Sequence, residues 1–105
     1  MSKHPALELP IRSKLDMLSD IIHIIRHLHQ GNRKLADPLI DDLKLRSLFL
    51  GDKIQQDVLI FSEQIHFQYD YDPWHKVTSE VQKAADQLIS DLGFMHLLQN
   101  DIFQK

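Results

Sequence analysis

The chain has 105 residues and no cysteine, which excludes disulfides, thiol nucleophiles and cysteine-ligated metal. It has three glycines and no glycine-rich phosphate loop, no G-x-S-x-G elbow and no calcium loop. Threonine occurs once, at Thr78. No run alternates apolar and polar residues with β-branched enrichment, so strands are not expected. Uninterrupted apolar stretches are only a few residues long, against about 20 for a bilayer span. The segment Met1–Pro10 lacks the long apolar stretch of a signal peptide. Together with the missing cysteine, this leads to the expectation of a cytoplasmic protein with no membrane contact.

What is present is a globular composition. Hydrophobic residues make up 43% and charged residues 26%, which excludes wholesale disorder, and the length suits one domain. The net charge of −3 is unevenly spread: residues 1–34 carry +3 and residues 35–105 carry −6. Four of the seven histidines lie in the basic part. Such asymmetry either draws the two parts together within the fold or favours head-to-tail association.

The dominant pattern is a row of apolar residues at Leu39, Leu43, Leu50, Ile54, Val58, Phe61, Ile65 and Tyr69, with Ser47 in phase. Its steps of three and four are helical. A second apolar row, Leu45, Phe49, Ile60 and Phe67, falls roughly opposite at 100° per residue. A helix apolar on two sides requires covering on two sides.

Residues 1–10, with Pro5 and Pro10, are expected to form a flexible N-terminal arm, since each proline lacks an N–H and biases its predecessor towards extended backbone. Residues 11–105 are expected to form a single helical-bundle domain. The first helix is expected from about Ile11 to His29, on the stripe Ile11, Leu15, Leu18, Ile22 and Ile25 flanked by Met17, Ile21, Ile24 and Leu28, and ended by Gly31 in a left-handed conformation. His29 falls on the apolar face by this count and is expected to be packed. Asp37-Pro38 reads as the start of the next helix, with aspartate capping and proline at the first helical position. Gly51-Asp52 offers a break, with Asp52 capping and Gln55 completing a capping box. The stripe nevertheless crosses Gly51 without losing phase, which favours one helix over about 38–68. Asp72-Pro73 repeats the start signal ahead of a last stripe, Trp74, Val77, Val81, Ala84, Leu88, Leu92 and Met95. The helix ends near Leu92 at Gly93 or runs on to about residue 102. The expected fold is all-α: a small antiparallel bundle of three long helices, or four if Gly51 breaks the second.

Two constellations bear on function. Asp16, Asp20, His23 and His27 follow steps of 4, 3 and 4, which puts them in one strip on the first helix. Such a strip is ordinarily a solvated face, but imidazole and carboxylate at i, i+4 can also hold a divalent metal. The glutamate of an H-E-x-x-H motif is missing, because the sequence reads His-Ile-Ile-Arg-His. The second constellation, Tyr69-Asp70-Tyr71-Asp72-Pro73-Trp74-His75, interleaves aromatics with acids; such aromatics ordinarily seal the end of a bundle beside a capped helix start, but amphipathic aromatics are also enriched in binding patches. The acids beside them, and the sparse basic residues Arg12, Lys14 and Arg26 on the first helix, disfavour nucleic acid.

These residues contain no catalytic constellation. The expected protein is a small non-enzymatic helical interaction module (regulator, adaptor or inhibitor) that contacts a protein partner or forms a homodimer. Its expected surface is Leu45, Phe49, Ile60, Phe67, Tyr71 and Trp74. The alternative is a metal-binding protein using Asp16, Asp20, His23 and His27, with a divalent metal as the only cofactor.

Overall fold

The computed structural model describes residues 5–71 and 77–94, with side chains over 13–68 and 77–94. Four helices follow in order: α1 (Pro5–His29), α2 (Arg33–Ser47), α3 (Asp52–Tyr71) and α4 (Ser79–Asp91). No strand occurs among the described residues, and none of their helices is long and apolar enough to cross a membrane. The all-α expectation holds, in its four-helix form.

The closest packing is between helices that are neighbours in sequence, α1 with α2 and α3 with α4, and α2 with α3 joins the two pairs. One apolar cluster runs through all four. It takes Met17, Ile21, Ile24, Ile25 and Leu28 from α1, Ala36, Ile40 and Leu43 from α2, Ile54, Val58, Phe61 and Ile65 from α3, and Val81, Ala84, Ala85, Leu88, Ile89 and Leu92 from α4. The steps of three and four within each set show why these stretches are helical: only that backbone brings the apolar side chains to one side.

Helix ends depart from the sequence expectations in informative ways. α1 includes residues 5–10, which corrects the expected arm there; residues 1–4 lie outside the described residues. Pro5 stands at the first helical position, where its missing N–H is no loss, and Pro10 forfeits one intrahelical bond. The end of α1 is as expected. Gly31 has φ +74, and the N–H groups of Gly31 and Asn32 donate to the carbonyls of Leu28 (3.0 Å) and His27 (2.8 Å), a Schellman closure that a residue with a Cβ resists. α4 ends in the same way, with Gly93 N–H on Ser90 (3.0 Å) and Phe94 N–H on Ile89 (3.0 Å).

α2 begins at Arg33 rather than at Asp37-Pro38, so Pro38 lies inside the helix. The extra turn brings Ala36 into the core, fully buried, in step with Ile40, Leu43 and Ser47. Asp37 caps nothing; its carboxylate accepts a hydrogen bond from Arg33 Nε at 2.7 Å. α4 likewise starts late. Thr78, in extended conformation, caps it by accepting from Val81 N–H at 3.2 Å, whereas Asp72-Pro73 lies outside the described residues. Thr78 N–H donates to the buried Gln68 side chain at 3.1 Å, which ties the start of α4 to the last turns of α3.

The expectation of one helix over 38–68 is corrected. α2 stops at Ser47, residues 48–50 turn, and Gly51 at φ +93 leads into α3. A left-handed residue cannot continue a right-handed helix. The apolar stripe keeps its phase because the connection, residues 48–51, is close in length to one helical turn of 3.6 residues. Counting along the sequence therefore cannot distinguish this turn from a helical one.

The covered face of α1 is also rotated from expectation. Met17, Ile21, Ile24 and Leu28 form its centre rather than its flanks, while Leu15 is half exposed. With that rotation, His29 leaves the core and is exposed.

Candidate functional site

The four residues of the second apolar row are all exposed: Leu45 61%, Phe49 76%, Ile60 41% and Phe67 60%. They are not one continuous strip, because α2 ends between Leu45 and Phe49. Leu45 is on the side of α2 away from the core, Phe49 is in the turn, and Ile60 and Phe67 are on the outer side of α3. Two further leucines that periodicity does not single out, Leu48 and Leu59, are also exposed. They flank a groove of about 490 Å³ between the end of α2 and the start of α3, with Val58 and Ser47 also lining it and Lys44, Asp52, Gln55 and Gln56 at its polar positions. Tyr71 closes α3, but its side chain, like the whole of Trp74, lies outside the described residues. Large apolar side chains exposed singly are ordinary; of these six, Leu48 and Leu59 line the groove.

The Asp16, Asp20, His23 and His27 strip is not gathered into a metal site. No group of three or more histidine, aspartate or glutamate side chains able to hold a metal occurs among the described residues. Asp16 is committed to Arg46 across the α1–α2 contact, at 3.1 Å. His23 Nδ1 lies 2.7 Å from the Ser19 carbonyl of its own helix. His27 Nδ1 is buried with no hydrogen-bond partner. Helical spacing puts the four on one side correctly, but neighbouring helices decide what each one meets.

The structure instead brings together two carboxyl pairs. Asp20 of α1 meets Asp42 of α2, and Asp57 of α3 meets Asp91 of α4. Each pair has one cation beside it. Arg46 binds Asp42 at 2.7 Å while also reaching Asp16; Lys53 lies 3.7 Å from Asp91, which also accepts from Gln87 at 3.0 Å. One oxygen of Asp20 and one of Asp57 are sealed from solvent, and no donor reaches either while both members of the pair are ionised. A proton kept on Asp20 and on Asp57 supplies the missing bond. Burial, and then the neighbouring carboxylate, push both carboxyls up to about 7. The proton each pair shares holds Asp42 and Asp91 below the usual carboxylate range. This is the behaviour of like charges forced close together out of water.

Comparison with family models, curated proteins and solved structures finds no match. The site is therefore read from its own chemistry. The carboxyl pairs lie across the α1–α2 and α3–α4 contacts. The groove, lined by Leu48 and Leu59, and the neighbouring exposed Phe49 are the most apolar part of the described surface between α2 and α3. Asp57 and Asp91 are 34 positions apart, and no periodicity links them; only the packing of α3 on α4 does. Leu48 and Leu59 are equally silent in the sequence, because exposure of a leucine depends on which helix lies next to it.

Proposed function

We propose that this protein is a non-enzymatic helical interaction module of the cytoplasm that acts by contact and self-associates as a homodimer. The observation that supports this reading is the exposure of Leu45, Phe49, Ile60 and Phe67 together with Leu48 and Leu59. These are large apolar side chains on α2, α3 and the turn between them, outside the buried cluster that the four helices share. Leaving a phenylalanine three-quarters exposed forgoes roughly 1.5–3 kcal/mol of burial, which association recovers. The lack of cysteine fits a reducing compartment.

Light scattering coupled to size exclusion, over a range of protein concentrations, tests the reading. The wild type is expected at twice the chain mass of 12.3 kDa at the higher concentrations. Phe49→Asp is expected to be monomeric throughout with an unchanged helical circular dichroism spectrum, since Phe49 contributes little to the fold. A wild type that stays at the single-chain mass at every concentration removes self-association from the proposal.

A further inference from the structure

The groove between α2 and α3 carries its own prescription for what seats in it. Its apolar part is small and made by Leu48, Val58 and Leu59. Its charged positions are of opposite sign on the two helices: Lys44 on α2 and Asp52 at the start of α3. Both side chains are exposed, and they form no ion pair with each other or with any other described residue. One residue beyond Leu48 stands Phe49, the most exposed large apolar side chain described.

We infer that the groove is the dimer interface itself: a second copy of this chain, related by a two-fold axis beside Leu48, places its Phe49 in the groove and sets its Lys44 and Asp52 against Asp52 and Lys44 of the first copy. This rests on the self-association proposed above and specifies where it occurs. Two-fold pairing is self-complementary only if a patch carries both an element and its match. Here one patch carries an apolar projection beside an apolar recess, and a cation beside an anion. A different protein would have to supply both matches independently, whereas a second copy supplies both at once. The charges also fix orientation, because sliding or inverting the contact brings lysine to lysine and aspartate to aspartate.

The test is charge reversal in the full chain, read as the dimer dissociation constant by sedimentation at low salt. Lys44→Glu puts glutamate against aspartate at both ends of the interface, and Asp52→Lys puts lysine against lysine. Each alone is expected to raise the dissociation constant about tenfold or more. An equimolar mixture of the two forms a heterodimer in which both contacts pair opposite charges, and is expected to return to within about threefold of the wild type. A dimeric wild type whose affinity is unmoved by Lys44→Glu overturns the placement while leaving self-association standing. Both variants also reverse a charge at a helix end, Lys44 in the last turn of α2 and Asp52 in the first turn of α3, so each is read only with an unchanged helical circular dichroism spectrum, and Lys44→Gln, which removes the pairing without placing an acid at the helix end, is expected to weaken the dimer in the same direction. A mixture no tighter than the separate variants likewise overturns the placement. A wild type monomeric at every concentration overturns both the placement and the reading beneath it.

Discussion

Phe61→Ala is expected to lower the unfolding free energy by about 3–5 kcal/mol, the usual loss when a large buried aromatic is truncated. Phe61 is fully buried and heads the large side chains of the core. It lies on α3 in step with Val58 and Ile65, within the cluster that α1, α2 and α4 complete. Its removal leaves a cavity that four helices would have to shift together to close, so only partial relaxation is available. A domain of this size has about 5–15 kcal/mol of stability in total. The variant should therefore melt well below the wild type, and at the lower end of that range it would be partly unfolded at 37 °C. Urea titration followed by circular dichroism measures the difference. A loss below about 1 kcal/mol would mean that Phe61 is not in a close-packed interior.

Stability is expected to fall as pH rises from about 4 through about 7. In the folded protein Asp20 and Asp57 keep their protons up to about 7, whereas the unfolded chain releases them near 4. Between those values the unfolded state binds fewer protons, so raising the pH favours unfolding. Asp42 and Asp91 act in the opposite sense lower down. Their folded values are depressed, so the stability they contribute is present above about 4 and is lost as the pH drops further. The optimum thus lies on the acid side of neutrality. A tenfold change in proton affinity corresponds to about 1.4 kcal/mol, but these carboxyls are only partly buried and solvent screens them, so about 1 kcal/mol per pair is the expected effect. The variant Asp20→Asn/Asp57→Asn replaces each shared proton by an amide that can donate to Asp42 or Asp91 without charge. It should therefore gain stability over the wild type at pH 8 and show a flatter profile. The informative quantity is the difference between the two proteins in urea titrations at pH 5 and pH 8. Parallel profiles for the two proteins would show that the carboxyl pairs do not hold a proton.

Much of this fold is legible in the sequence because helical periodicity is a local signal. Ile54, Val58, Phe61 and Ile65 of α3, and Val81, Ala84, Leu88 and Leu92 of α4, stand in the predicted stripes, whereas Ala85 and Ile89, also buried on α4, do not; Gly31 ends α1 as expected. What is illegible depends on competition between elements. Asp37-Pro38 is a good start signal, yet burying Ala36 outweighs it and carries α2 back to Arg33. The broad apolar face of α1 contains two candidate centres, and only its neighbours select the one on Met17, Ile21, Ile24 and Leu28. Gly51 reads as a possible break, but a connection about one turn long leaves no trace in the phase of the stripe. In the candidate site, the exposed second row is visible as a surplus of apolar residues. The groove and both carboxyl pairs are products of helix-on-helix packing and have no sequence signal.

The preference of each helix for its sequence neighbour also bears on how fast the chain folds. α1 and α2 are joined by three residues and α3 and α4 by seven, so the closest contacts are reached after closing short loops. Little chain entropy is lost before packing begins to offset it. Topologies dominated by such near-neighbour contacts reach the native state in about microseconds to milliseconds. Each pair can assemble around its own half of the stripe before the two meet, and the time for which apolar residues of α2 and α3 lie open to other chains is correspondingly brief. A protein that displays Leu45, Leu48 and Phe49 on its finished surface has particular use for that speed, because the same side chains, added to a core still open, would promote indiscriminate contacts during a slow search.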